Sequence, residues 1–404
     1  MKTCVIASAV RSAVGGYLGS LKSVEAQDLG AAALREAIRR SKLEPDLIDQ
    51  VVLGDVYGYT PNVSRCAALL AGIPEETPAY EVDRQCASSL QAVVSAVHEI
   101  RAGEADVVLA GGVEVMSRMT YYLDPSARAE PLRLGDKPLY DTFSHGVTLV
   151  QPQALYPNCN MGITAENVAA KYGIGREEQD LFALDSQRKA KAAMEAGKFK
   201  DEIFPFEVRS RKSSFVFEVD EHPKPDTTLE SLAALKPAFV RDGSGTVTAG
   251  NSSGMNDGAS AVLVMSEDKC ADLGLTPLAK IVGAASAGVD PRLMGLGPVP
   301  ATRKALAKAG LSLEDIDLIE LNEAFAAQSL GCLKELGLRM GSKSYDRVNV
   351  NGGAIALGHA LANSGTRLLT TLIYEMKRRS ARYGLVTLCI GGGQGMALIV
   401  ENCE

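Results

Sequence analysis

Three observations predict a layered α/β fold built from two similar halves. The order strand, helix, strand occurs near both ends of the chain, and two segments match there without a gap. The third is composition, because 39 glycines in 404 residues suit many tight turns between strands and helices. In the first half, residues 3–9 read as a strand, 26–39 as an amphipathic helix and 51–53 as a β-branched strand. Near the other end, residues 280–284 read as a strand, 301–309 as a helix and Leu318–Leu321 as a strand. The segment LEPDLIDQVVLGD from Leu43 aligns with LSLEDIDLIELNE from Leu311. Repeated βαβ units imply parallel strands with helical crossovers, and a duplicated pair implies two layered halves.

The later part of each half repeats as well. VDRQCASSLQAVVSAVHEI is the end of a strand followed by a helix, and ADVVLAGG is a buried strand ending in glycines. VNVNGGAIALGHALANSGTRLLTTLIYEM is a loop followed by a helix over 361–374, and GLVTLCIGGG is again a buried strand ending in glycines. These matches assign residues 1–117 with 249–270 to the first half and 271–404 to the second. Residues 118–248 form an insertion richer in proline, tyrosine and charge, with helices expected at 164–171 and 177–191. A long insertion with its own helices acts as a lid or binding loop, or as an oligomer contact, and both readings stand.

Apolar residues make up 46% of the chain and charged residues 23%, so a large core needs no disulfide or metal staple. A net charge of -7, with only short basic runs (RKSS, KRRS), argues against a nucleic-acid partner while leaving room for a local basic patch facing an anionic cofactor. The eight cysteines form no CxxC pair, so neither a zinc site nor a disulfide framework is expected, and a reducing cytoplasm is the expected location. The apolar run 4–10 is broken by Arg11 and reads as the first strand rather than a leader. No stretch approaches the roughly 18 consecutive apolar residues of a membrane span, so no membrane partner is expected.

Among the cysteines, Cys86 stands where a strand over 80–82 gives way to a helix with the apolar face Leu90, Val93, Val94, Val97 and Ile100. A thiol at a helix N-terminus meets free backbone N–H groups and the positive end of the dipole, which lower its pKa and make a nucleophile. Cys389 closes a buried strand and meets GGGQG, which reads either as a ligand-approaching glycine turn or as a buried cysteine before a turn. His359 lies among small residues that leave room for a substrate, with a core histidine as the other reading. His98 and His222 read as structural or solvated, and His145 is undecided. Asn322 and Glu323 follow a strand at its C-terminal edge, where layered α/β folds bind ligands; Gly54 and Asp55 hold the equivalent places in the first half. Halves that differ at one edge point to a single, asymmetric site.

In order and spacing, QCASSLQA, TVTAGNSSGMNDGA, GLGPVPA, NEAFA, NGGAIALGH and CIGGGQGMA resemble the thiolases across essentially the whole chain, with MGITAENVA and EHPKPDTTLE inside the insertion. The resemblance implies a thiolase-like duplicated α/β/α/β/α fold and CoA-dependent Claisen chemistry on CoA thioesters, with no covalently bound cofactor and no metal. It implies that Cys86 carries the acyl group, His359 accepts its proton and Cys389 moves the proton on the α-carbon. Asn322, holding a water, would join His359 in one oxyanion hole, and the N–H groups of Cys86 and Gly391 would form the other. By the same resemblance CoA lies against Ala249, Ser253, Lys224, Phe239 and Met161, and Met294 and Phe325 border the acyl end. A homodimer or homotetramer is implied too.

The resemblance has departures. Asp83 and Ser89 stand where thiolases have Asn and Gly, Ala360, Ala362 and Asn363 replace Pro, Gly and Ala, and Ser12 and Ala13 replace Thr and Pro. Asn160 stands where short-chain members often carry His, and the loop from Tyr57 to Arg65 is about two residues short. Every catalytic side chain is kept, while the backbone that aims His359 is altered. The expected activity is reversible cleavage of a 3-oxoacyl-CoA to acetyl-CoA and acyl-CoA, of open chain length and direction. The alternative is a thiolase-like CoA- or partner-binding scaffold without turnover. A decarboxylating condensing enzyme fits less well, since it pairs its cysteine with two histidines.

Overall fold

The computed structural model describes residues 2–130, 132–209 and 213–403. The chain opens with β1 (Cys4–Ser12), α1 (Ala26–Ser41), β2 (Gln50–Gly54), α2 (Val63–Ala71), β3 (Ala79–Val82), α3 (Ser88–Ala102) and β4 (Val107–Val115). The following stretch carries α4 (Thr142–Leu149), α5 (Met161–Tyr172) and α6 (Arg176–Glu195), and β5 (Asn256–Ser266) then returns to the first sheet. The remainder runs β6 (Ala279–Gly288), α7 (Pro298–Ala309), β7 (Leu318–Leu321), α8 (Ala326–Leu336), α9 (Ser364–Arg379), β8 (Tyr383–Ile390) and β9 (Gln394–Asn402). The two aligned segments fold alike, each as a 3-10 turn (Pro45–Leu47, Leu313–Asp315) entering a strand (β2, β7).

The strands hydrogen-bond in the order β3-β2-β4-β5-β1-β6-β9-β8-β7. The halves meet where β1 and β6 pair antiparallel, with Val5 opposite Lys280. Outward from that junction, β1-β5-β4-β2 matches β6-β9-β8-β7 strand for strand, and Val348, bridged in parallel to Ile319, takes the place of β3. Among these nine strands parallel pairing is narrower than the repeat implied: β2 with β3 and β4, and β7 with β8. The reason lies in the connections. No helix separates β8 from β9, because Gly392 and Gly393 (φ 81° and 84°) turn the chain straight back, and a tight turn joins antiparallel strands only.

Both faces of the sheets are buried, so alternate strand residues enter different cores. Val107, Leu109 and Val113 of β4 pack with α1 and α2, whereas Val108 and Ala110 face the interior with α3. In β9, Met396, Leu398 and Val400 join that interior core, and Ala397 and Ile399 join an outer core with α7 and α8. The layers are therefore α1/α2, first sheet, α3/α9, second sheet, α7/α8. Helices α5 and α6 extend the outer core of the second half through Val168, Ala169 and Phe182. Arg11, fully buried, anchors the same stretch: Nη1 and Nη2 donate to the two carboxylate oxygens of Asp220 at 2.7 and 2.9 Å, and Nε donates to Glu202 at 2.7 Å.

The helix read at 361–374 begins instead at Ser364 and runs to Arg379. Residues 358–363 are held as a loop between the short turn Ala354–Leu357 and α9, and that loop carries His359.

Candidate active site

Cys86 lies in a 3-10 turn (Gln85–Ala87) that leads into α3. The turn is tied by short-range bonds. Gln85, in the left-handed region at φ 48°, donates its N–H to Asp83 Oδ1 at 2.7 Å. Arg84 N–H donates to Ser88 Oγ at 2.9 Å, and that hydroxyl donates to Gln85 O at 2.7 Å. A non-glycine residue at positive φ costs of order 1 kcal/mol or more, held here by those bonds. The sulfur meets the N–H groups of Gly391 and of Cys86 itself. The helix-end effect expected from sequence does not prevail: burial pushes the thiol from 9.0 up to about 11, Glu114 and Asp83 add to the rise, and the two N–H donors oppose it. Cys86 is a neutral thiol at rest and needs a base.

His359, lining the same cavity as Cys86, offers an imidazole for that role. Its N–H donates to Asn256 Oδ1 at 2.9 Å, and the preceding Gly358, at φ 94°, has no room for a side chain because a Cβ would sit 2.5 Å from Asn256 Cγ. Nδ1 lies 2.6 Å from Ser364 Oγ, and that hydroxyl donates its proton to Ala360 O at 2.7 Å. The serine can then only accept from the ring, which places the imidazole proton on Nδ1 and leaves Nε2 unprotonated. Asn322 Nδ2 approaches Nε2 at 3.5 Å. Burial, with the Arg367 charge adding, lowers the imidazole from 6.5 to about 3, so the ring is neutral at rest and its Nε2 lone pair is free.

Three strand ends converge on this pair, all at C-terminal edges. Asn322 follows β7, Cys389 is the penultimate residue of β8 with Gly391 just beyond, and Cys86 follows β3. Burial raises the Cys389 thiol well above 9.0, and nearby Cys86 and Cys332 add to the rise. Cys86, His359, Cys389 and Gly391 line one cavity of about 440 Å³, together with Ser253, Phe239, Met161, Met294 and Phe325. Asn322 is buried beneath it, touching it through His359. Phe239 and Phe325 meet edge to face at 6.1 Å. Ala249 and Lys224 do not line the cavity and are exposed, Lys224 donating its backbone N–H to Gln187 Oε1 at 2.9 Å. Among the described residues no group of three or more His, Cys, Asp or Glu could hold a metal ion, and no helix is long and apolar enough to cross a membrane.

The altered residues tie the site together. Ser89 Oγ accepts the N–H of Thr366 in the first turn of α9 at 2.9 Å, and Ser89 N–H donates to Ala362 O at 3.1 Å. The helix behind Cys86 is thereby bonded to the loop and helix behind His359. Asn160 caps α5 by accepting from Ile163 N–H at 3.0 Å and also lines the cavity. Glu114, not singled out from sequence, accepts from Tyr57 N–H and Ala362 N–H, both at 3.1 Å, so it holds the His359 loop from β4. Its carboxyl is raised well above 4.5 by burial and by Asp55. Ser364, Tyr57 and Val150 also escaped the sequence reading; of these only Ser364, at the start of a helix five residues past His359, carried a local signal.

Comparison with known proteins identifies the family. The family model for the thiolase N-terminal domain matches residues 4–268 and that for the thiolase C-terminal domain matches residues 275–402. The chain is 51% identical over 404 residues to the acetyl-CoA acetyltransferase of Escherichia coli (strain K12), covering 100% of both. It is 51% identical over 405 residues to that of Pseudomonas aeruginosa (strain PAO1), again covering 100% of both. Among solved structures, Bacillus anthracis acetyl-CoA acetyltransferase superimposes with a TM-score of 0.92 at 45% identity, over 100% of this chain and 99% of that one. Human mitochondrial 3-ketoacyl-CoA thiolase in complex with CoA does so with 0.92 at 43% identity, over 100% of this chain and 98% of that one. With both domain models matched in order and a full-length relative at this identity, the chain belongs to the thiolase family.

Proposed function

We propose that Cys86 carries the acyl group in the reaction of a thiolase: thiolytic cleavage of a 3-oxoacyl-CoA to acetyl-CoA and acyl-CoA, or the reverse Claisen condensation. The observation that supports this most is the shared cavity, which sets a neutral Cys86 thiol, an unprotonated His359 Nε2 system and a second neutral thiol, Cys389, on one surface.

In cleavage, His359 Nε2 takes the Cys86 proton as the sulfur bonds to the 3-oxo carbon. The tetrahedral oxyanion collapses, the bond between C2 and C3 breaks, and its electron pair enters the thioester as an enolate. Cys389 gives its proton to C2 and acetyl-CoA departs. A second CoA thiol then returns a proton to Cys389 and attacks the acyl carbon, and Cys86 leaves and recovers its proton from His359. The N–H groups of Cys86 and Gly391, which already converge on the sulfur, are suited to one oxyanion. Asn322 with His359 is suited to the other: Asn322 Oδ1 is buried without a protein partner, as befits a group that holds a water. Losing one such donor costs about 2.7–4 kcal/mol of barrier.

The pantetheine arm of CoA is assigned to the Ser253, Phe239, Met161 side, with Met294 and Phe325 beside the acyl end. Ala249 is kept as a pantetheine contact and Lys224 as a contact for the nucleotide end, both exposed outside the cavity. Residues 1–117 with 249–270, and 271–404, are taken as the two halves, and 118–248 as an insertion that also serves oligomer contact. Exposed Tyr121, Leu132, Leu134, Leu139 and Leu155 support a homodimer or homotetramer. Eight unbridged cysteines favour a cytoplasmic setting, with a role in fatty acid metabolism.

The test is direct. Incubation with acetyl-CoA should add one acetyl mass to the Cys86 peptide, and Cys86→Ser should lose it. No adduct under reducing conditions would overturn the reading.

A further inference from the structure

Helix α4 forms one wall of the cavity, giving it Phe143, Val147 and Thr148, with Val150 following. On the other side of the same helix, His145 is gripped from outside the cavity. Its ring stacks on Tyr140 at 4.4 Å with 19° between the planes, and Nδ1 is hydrogen-bonded to the Tyr122 hydroxyl. Tyr122 and Tyr140 stand opposite each other in a two-stranded ribbon, Tyr121–Tyr122 with Tyr140–Asp141. That ribbon also starts the helix: Thr120 O accepts the N–H of Thr142 at 3.1 Å and its hydroxyl at 2.5 Å, and Asp141 caps Ser144 N–H at 2.7 Å.

A helix of 8 residues has little stability of its own, so its placement comes from such contacts. Residues two apart on a helix point to opposite sides, so gripping His145 turns Phe143 and Val147 inward. Beyond them the wall continues to the reacting atoms. Tyr57 meets Phe143 edge to face at 5.8 Å, and Val150 lies against the turn at Gly391, where a Cβ would be 3.3 Å from Val150 Cγ1. Beside the backbone donor for Cys86 this wall is mainly aromatic and aliphatic, with Ser144 and Thr148 as its polar members. Away from α4 the lining includes Ser252, Ser253 and Asn160, which suit the amides of a pantetheine arm. A mainly apolar wall favours hydrocarbon over polar groups.

We propose that His145, Tyr122 and Tyr140 form a clamp that fixes the α4 wall, and that this wall selects a 3-oxoacyl group whose hydrocarbon extends beyond the terminal methyl of acetoacetyl-CoA. The inference rests on the acyl transfer proposed above. His145 acts through the wall and is a positioning residue.

The experiment measures thiolysis of acetoacetyl-CoA, 3-oxohexanoyl-CoA and 3-oxooctanoyl-CoA by the wild-type chain and by His145→Ala, His145→Phe and Tyr122→Phe. The wild type should cleave all three. His145→Ala should lower kcat/KM for the eight-carbon substrate by about tenfold, mainly through KM, the size of effect a hydrocarbon pocket gives. Its kcat for acetoacetyl-CoA should stay within about twofold, since His145 lies outside the cavity and its loss removes uniform binding rather than chemistry. His145→Phe keeps the stack on Tyr140 and should recover part of the loss, and Tyr122→Phe should fall between. Equal losses on every substrate, no loss on any, or a wild type confined to acetoacetyl-CoA would each overturn the proposal. Absence of an acetyl adduct at Cys86 would instead sink the acyl-transfer reading beneath it, so the two failures are separable.

Discussion

Ser364 Oγ stands 2.6 Å from His359 Nδ1 while handing its own proton to Ala360 O, so one hydroxyl fixes which ring nitrogen is free to act. Replacing Ser364 by alanine removes the acceptor and leaves both tautomers open. We expect Ser364→Ala to lower kcat about tenfold, equivalent to about 1.4 kcal/mol, with an unchanged melting temperature within a few degrees. An unaltered kcat would show that Asn322 alone orients the ring.

The half-buried Cys86 thiol, raised to about 11, makes a prediction about the free enzyme. Alkylation of Cys86 by iodoacetamide should accelerate about tenfold per pH unit from pH 7 to 9, because only the thiolate reacts. A rate that levels off near pH 7 would indicate a thiolate stabilised at rest by the helix end and the Gly391 donor.

Ser89 links α3 to the first turn of α9 through Thr366 N–H at 2.9 Å. Ser89→Ala leaves that N–H buried without a partner and should cost about 1–3 kcal/mol in urea unfolding. A cost near zero would mean that Thr366 finds another acceptor.

At Gly358, alanine brings two penalties: φ 94° is unfavourable for a side chain, and the new Cβ displaces the Asn256 amide that accepts His359 N–H. Gly358→Ala should lower kcat by at least about tenfold while acetyl-CoA binding, followed by calorimetry, changes less. Parallel losses in both would point to general disruption instead.

Glu320 of β7 is fully buried, and burial lifts its carboxyl from 4.5 to about 8 against the pull of Arg367. Between those values the folded chain binds a proton that the unfolded chain has released, so this group's contribution to stability falls as pH rises from about 5 to 8. Glu320→Gln keeps the neutral shape and removes that slope. Unfolding free energies at pH 5, 6.5 and 8 should therefore show the variant gaining on the wild type with pH; parallel curves would refute a neutral Glu320.

Much of this architecture was readable in the chain. The segments at Leu43 and Leu311 carry the same turn and the same alternation, and they fold into the same turn and strand. Strand direction was less readable, since it depends on the connection: the run of glycines after Ile390 reverses the chain where a helix would have carried it over. Cys86, His359, Cys389 and Gly391 carried motifs and meet in the cavity. Phe143, Val150 and Glu114 carried none, because they reach the site from segments distant along the chain and their neighbours there are set by packing alone. The Cys86 environment shows the same limit. A helix start is visible locally, whereas the burial that outweighs it is assembled from both halves.

The junction of β1 with β6 has a further meaning. Equivalent strands that meet antiparallel are related by a twofold axis, the arrangement two separate copies would adopt in a symmetric dimer. Such symmetry offers two edges, each with a claim to a reacting centre. Only one can be equipped: at the place that mirrors Asn322 stands Gly54, where any Cβ would lie 2.6 Å from Ser88 Cβ in the turn presenting Cys86. The start of the helix behind Cys86 crowds out a second amide, and each polypeptide should titrate with one acyl equivalent rather than two.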